Sequence, residues 1–126
     1  MAKREKNRES LQEILQSTSL TLFPAQDGKA VIKLNSRDLD GDTPLHILMH
    51  RGHNYGCHLL IEAGADVNAI GDLGLTALHY AIRRENEEMI TLLLKAGARQ
   101  DITCEFGETA IDIARRQNPA LLPLFK

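Results

Sequence analysis

Four histidines crowd one stretch of the chain: His46, His50, His53 and His58, with Cys57 among them. His46 and His50 are four apart, so a helix would put them on one side, as a helical zinc site requires. Yet His50 falls at an exposed position of the helix that begins after Thr43, and His53 in the turn beyond it. These imidazoles therefore do not converge on one tetrahedral point. Cys57 near a histidine suggests a thiolate nucleophile, and Thr43 with His46 has the look of a hydroxyl and its base. The threonine oxygen is better used as a helix cap, and no third group or oxyanion donor stands at fixed spacing around it. The sequence contains no G-x-x-x-x-G-K-[ST], G-x-G-x-x-G or H-E-x-x-H. The expectation is a chain without catalytic residues, metal ligands or cofactor, and not an enzyme.

The frame that carries these residues is bounded by composition. At 126 residues, with 43% hydrophobic and 25% charged residues, the chain suits one folded domain rather than a disordered or fibrous polymer. No apolar run reaches the roughly 18 to 20 residues of a membrane span, and the opening MAKREKNRE is charged where a signal peptide is apolar. A soluble, cytoplasmic protein without a membrane partner is expected. Cys57 and Cys104 stand far apart with no C-x-x-C, which suggests reduced thiols rather than a disulfide framework or zinc module. A net charge of −2 argues against nucleic-acid binding. Residues 1–9, with Lys3, Arg4, Lys6 and Arg8 against Glu5 and Glu9, read as a flexible charged terminus.

A period of 33 residues organises the rest. Thr43-Pro44-Leu45-His46 returns as Thr76-Ala77-Leu78-His79 and as Thr109-Ala110-Ile111-Asp112, each preceded by Gly41, Gly74 or Gly107. Ala63-Gly64-Ala65 returns as Ala96-Gly97-Ala98, and Asn35, Asn68 and Asp101 keep the same spacing. Each threonine can cap a short helix, with Pro44 at a first position where its missing N–H costs nothing. Leu45, Leu48 and Met49, then Leu78, Ala81 and Ile82, follow the i, i+3, i+4 rule of one buried face. A second helix carries Leu59-Leu60-Ile61, or Met89-Ile90 with Leu92-Leu93-Leu94, and Cys57 aligns with Ile90 as a small core residue. Gly64 and Gly97 sit where a helix end wants a left-handed residue.

G-x-T-P-L-H followed by A-G-A-D-V-N-A at this spacing resembles the ankyrin repeat, closely over residues 35–117. The resemblance implies an all-α, short solenoid of helix-turn-helix units with β-turn fingers, divided as 35–67, 68–100 and 101–126. It also implies that His46 and His79 bond to the threonine of their own unit and to neighbouring backbone. The third unit departs from the pattern: Asp112 replaces the histidine, Arg115 replaces a small apolar residue, and Pro119 with Pro123 leaves room for no more than a short turn. Such departures suit a terminal cap.

Residues 10–34 are expected to cap the other end. Ser10-Leu11-Gln12-Glu13 is a capping-box pattern opening a short helix with Leu11, Ile14 and Leu15 on one stripe. Leu15 to Thr43 spans 28 residues where Leu94 to Thr109 spans 15, which implies an insertion of 13. Within it, Leu20 and Leu22 alternate with Thr21, Ala25-Gln26-Asp27-Gly28 offers a turn, and residues 30–34 complete a β-hairpin. That hairpin should lean on the first unit through Leu22, Ile32 or Leu34.

Positions that vary between units are free to face a partner. On the finger tips these are Leu39, Asp40 and Asp42, then Asp72, Leu73 and Leu75, then Glu105, Phe106 and Glu108. On the open side of the first helices they are His50 and Arg51, Arg83 and Arg84, and Arg116 with Gln117. Leucines and a phenylalanine beside arginines match the make-up of binding hot spots better than a plain solvated face. The expected function is non-catalytic binding of a protein partner by a monomer through its concave face. A small inhibitor or immunity-type protein that blocks a toxin or enzyme is the alternative, and a self-associating assembly subunit a third.

Overall fold

The computed structural model describes residues 10–29 and 31–125. Among these, seven α-helices follow one another: α1 (Leu11–Gln16), α2 (Ser19–Leu22), α3 (Pro44–Arg51), α4 (Asn54–Glu62), α5 (Ala77–Arg83), α6 (Glu87–Lys95) and α7 (Ala110–Gln117). Short 3-10 turns lie at Pro24–Gln26, Asp72–Gly74 and Pro119–Leu124.

Thr43, Thr76 and Thr109 start α3, α5 and α7 in the same way. Each side-chain oxygen accepts from the N–H three residues on, and that residue returns a bond to the threonine N–H. The return comes from His46 and His79 through Nδ1, both at 3.0 Å, and from the Asp112 carboxylate at 2.9 Å. Two orphan donors are thus satisfied at each helix start.

α3, α5 and α7 pack side by side in one row, with α4 and α6 behind them. Leu48, Cys57, Leu60, Ile82, Met89, Ile90, Leu93 and Ala114 fill the space between the rows and are fully buried. Ile14 and Leu15 of α1 join this core at one end, where α1 packs on α4. Leu121, from the turn packed against α6 and α7, joins it at the other.

The β-hairpin expected over residues 20–34 is not there: the described residues contain no strand. α2 and the Pro24–Gln26 turn take its first half, and residues 31–34 run without regular pairing; Ala30 lies outside the described residues. Three alternating residues cannot distinguish a strand from a helical turn, and Pro24 lacks the donor a ladder would need. Leu22 and Ile32 are buried, so the segment does lean on the core. The turn expected at Ala25–Gly28 is present, with Asp27 left-handed at φ 53°. The flexible terminus expected at residues 1–9 lies outside the described residues.

Three sets of bonds recur along the stack, two of them between successive units. His46 Nε2 lies 3.0 Å from the Leu75 carbonyl, and His79 Nε2 lies 3.2 Å from that of Glu108. The Asn35 side chain accepts the Asp66 N–H at 3.1 Å, and Asn68 accepts that of Arg99 at 2.7 Å. Arg84 donates to the His50 carbonyl at 2.8 Å, and Gln117 to that of Arg83 at 2.9 Å. In the histidine and the Arg84/Gln117 sets, a side chain of one unit bonds to the main-chain oxygen of a neighbour, while each asparagine ties the two ends of its own unit.

Candidate functional site

Each finger is closed by a bond between its first N–H and its last carbonyl: Asp38 to Asp42, Gly71 to Leu75, and Cys104 to Glu108. The fingers are also tied to one another. Asp42 Oδ1 accepts the Asp72 N–H at 2.9 Å, and the Leu73 carbonyl accepts the Glu105 N–H at 2.9 Å. Leu73 takes a left-handed φ of 60° at the tip, where glycine or asparagine is at home. Gly74 follows at φ 74°, and a Cβ there would stand 3.0 Å from the Glu105 nitrogen. The middle finger is therefore bent tightly enough to touch the next.

Three clefts open between the fingers and the first helices. The largest, about 520 Å³, lies among Leu73, Arg83, Phe106, Glu108 and Arg116. A second, about 360 Å³, shares Leu73 and Arg83 with it and adds His50, Tyr80 and Arg84. The third, about 210 Å³, shares His50 and Tyr80 with the second and adds Asp42 and Arg51. Shared walls make them one groove along this face.

The residues singled out from sequence are divided by this geometry. His50, Leu73, Leu75, Arg83, Arg84, Phe106, Glu108, Arg116, Asp42 and Arg51 line the groove. Asp40, Asp72 and Glu105 are exposed at the finger tips beside it. Leu39 is fully exposed and lines a different, apolar cleft of about 370 Å³ with Leu22, Phe23 and Pro24. Leu75 lines two of the clefts as well but is only 2% exposed, and its carbonyl receives His46.

The arginines differ in what they already hold. Arg51 donates to Thr21 at 3.2 Å, Arg84 to the His50 carbonyl, and Arg116 grips Glu108 with two bonds of 2.8 and 2.9 Å. That grip lowers the carboxyl pKa of Glu108. Among the described residues no acceptor reaches the exposed Arg83 guanidinium. Arg83, not Arg84, shares the largest cleft with Phe106.

Sequence reasoning missed Tyr80. It stands edge-on to His46 and to His50, with ring centres 6.0 and 5.9 Å away. Burial, followed by the negative charges of Asp42 and Asp72, raises its pKa, so the hydroxyl keeps its proton. The available signal was its register: Ile47, Tyr80 and Ile113 are equivalent, and a hydroxyl at an otherwise aliphatic position marks a half-open site.

The chemical candidates resolve into support. Burial lowers the pKa of His46 and His79, so both stay neutral and bridge threonine to carbonyl as the resemblance implied. Burial pushes the Cys57 thiol up to about 12, far from a thiolate nucleophile at neutral pH. His53 caps α4 by accepting the Gly56 N–H at 2.9 Å, while His58 lies 2.8 Å from Glu88 on the second-helix side. Among the described residues, no group of three or more metal-ligating side chains gathers, and no helix is long and apolar enough to cross a membrane.

A family model of ankyrin repeats in three copies matches residues 1–105 and again 57–121. No curated protein matches the chain. With the 33-residue period present in its capping boxes, its fingers and the bonds between its units, the chain belongs to the ankyrin repeat family, whose repeats are in general protein–protein interaction modules.

Proposed function

We propose that this chain is a non-catalytic binding protein that holds a protein partner in the groove between its fingers and first helices. One observation carries the reading: Leu73 and Phe106, 40% and 70% exposed, share with the Arg83 guanidinium, which no acceptor among the described residues reaches, a cleft that continues past Tyr80. Exposed apolar side chains around an arginine are the composition of interface hot spots. In this reading the repeats occupy 35–67, 68–100 and 101–126, α1 with its Ser10–Glu13 capping box closes the stack, and the protein acts as a monomer. The free, buried thiols of Cys57 and Cys104 support a reducing, cytoplasmic setting.

The test is affinity capture with the full chain, identification of retained proteins by mass spectrometry, and repetition with Phe106→Ser and Arg83→Glu. A protein held by the parent should be lost by both variants while their circular dichroism is unchanged. If both variants retain it as well as the parent does, the groove is not the site.

A further inference from the structure

The groove carries a charge opposite to that of the chain. The whole sequence has a net charge of −2, yet four arginines line the three clefts against two carboxylates, those of Asp42 and Glu108. Both carboxylates are occupied, Asp42 by the Asp72 N–H and Glu108 by Arg116. Three of the arginines already hold acceptors, Arg116 a carboxylate and Arg51 and Arg84 neutral oxygens, which leaves Arg83 as the groove arginine whose donors no acceptor among the described residues takes up. A guanidinium presents a planar fork of donors that a carboxylate meets with two parallel bonds.

We propose that the bound segment is an extended acidic stretch of a protein partner, with one Asp or Glu carboxylate seated on Arg83. Its apolar neighbours pack on Leu73, Tyr80 and Phe106. This rests on the groove being the partner site and adds the chemistry of what enters it. The connected clefts provide room for several residues of extended chain rather than for one small molecule. The finger tips decide between a sparse acid and a polyanion. Asp40, Asp72 and Glu105 are exposed along the edge of the groove, where a phosphate backbone would meet a row of like charges. A single carboxylate that reaches past the tips to the helix side avoids them.

The probe is a library of random twelve-residue peptides displayed on phage, selected on the immobilised full chain. Enriched sequences should place Asp or Glu one to three positions from Leu, Ile or Phe. Titration of an enriched peptide should then show Arg83→Gln weakening binding about tenfold, with a shallower salt dependence. Arg83→Lys should recover part of the loss, because the charge stays and the fork goes. Replacing the peptide's acid by its amide should cost a similar factor, and combining the two changes should cost little more than either alone. Leu39→Ala, in the separate cleft, should bind as the parent does.

Selection that enriches no acidic sequence, or binding within about twofold of the parent for Arg83→Gln, overturns the inference. The amide NMR signals perturbed by an acid-free peptide locate the failure. Shifts at Leu73, Tyr80 and Phe106 leave the groove as the partner site and discard only the acidic segment. Shifts confined to residues 22–26 and 37–39 discard both.

Discussion

His46 of α3 and Leu75 of the next finger are 29 residues apart in sequence and 3.0 Å apart in space, imidazole Nε2 to main-chain oxygen. Nδ1 accepts the Thr43 N–H, so Nε2 carries the proton and donates it to Leu75. One neutral ring therefore closes the cap of its own helix and fastens the following unit. Replacing His46 by alanine should remove both, at about 1 to 3 kcal/mol, read as a lowered urea midpoint.

The same neutrality makes the stack sensitive to acid. Burial lowers the folded pKa of His46 and His79 below the usual 6.5 of an unfolded chain. Between the folded and unfolded values the unfolded chain binds more protons, so stability rises with pH in that window. The contribution should be fully present above about pH 6.5 and lost as pH falls through it toward the lowered values. Urea midpoints at pH 7.5, 6.5 and 5.5 should fall in that order, and the fall should be smaller in His79→Gln.

Leu93 is fully buried in α6, between the two rows of helices. Leu93→Ala should cost about 2 to 5 kcal/mol and unfold much of the chain at once, since each unit leans on its neighbours. An unchanged midpoint in chemical denaturation would contradict this packing.

Arg83 and Arg84 are adjacent in sequence and should respond differently. Arg84→Ala removes the bond to the His50 carbonyl at the end of α3 and should lower stability by about 0.5 to 1.5 kcal/mol. Arg83→Ala breaks no bond seen in the structure and should stay within about 0.5 kcal/mol. Thermal melts of the two variants, run side by side, make the comparison.

Gly71 admits no side chain. A Cβ there would collide with the Asp42 carboxylate and stand 3.0 Å from His46 Nε2. Gly71→Ala should cost about 1 to 3 kcal/mol by overpacking, and the His46 ring signals should move in the NMR spectrum.

What was legible in the sequence is what depends on short range. The capping boxes at Thr43, Thr76 and Thr109, the buried faces of α3 and α5, and the terminal turn at Pro119–Leu124 follow from residue type and spacing over a few positions. The near-complete burial of Leu75 was not legible, because how far a finger side chain is covered depends on how the next unit sits. Nor were the bonds of Arg51 and Arg84, whose acceptors lie in the N-terminal segment and in the first unit. An exposed cation and one bonded to a neighbour look alike in sequence. At residues 20–34 the pattern was too short to choose between a strand and a helical turn, and the burial of Leu22 and Ile32 is compatible with both.

Several of the bonds between units end on main-chain oxygen, and some of the residues that lend it also face the groove. His50 gives its carbonyl to Arg84, Leu73 to the Glu105 N–H and Arg83 to Gln117, while their side chains line the clefts. A carbonyl is the same whatever side chain accompanies it. Substitutions at these positions can therefore change what the groove accepts while the seams stay closed. On the proposed reading, recognition in this protein can drift or be redesigned without renegotiating the fold.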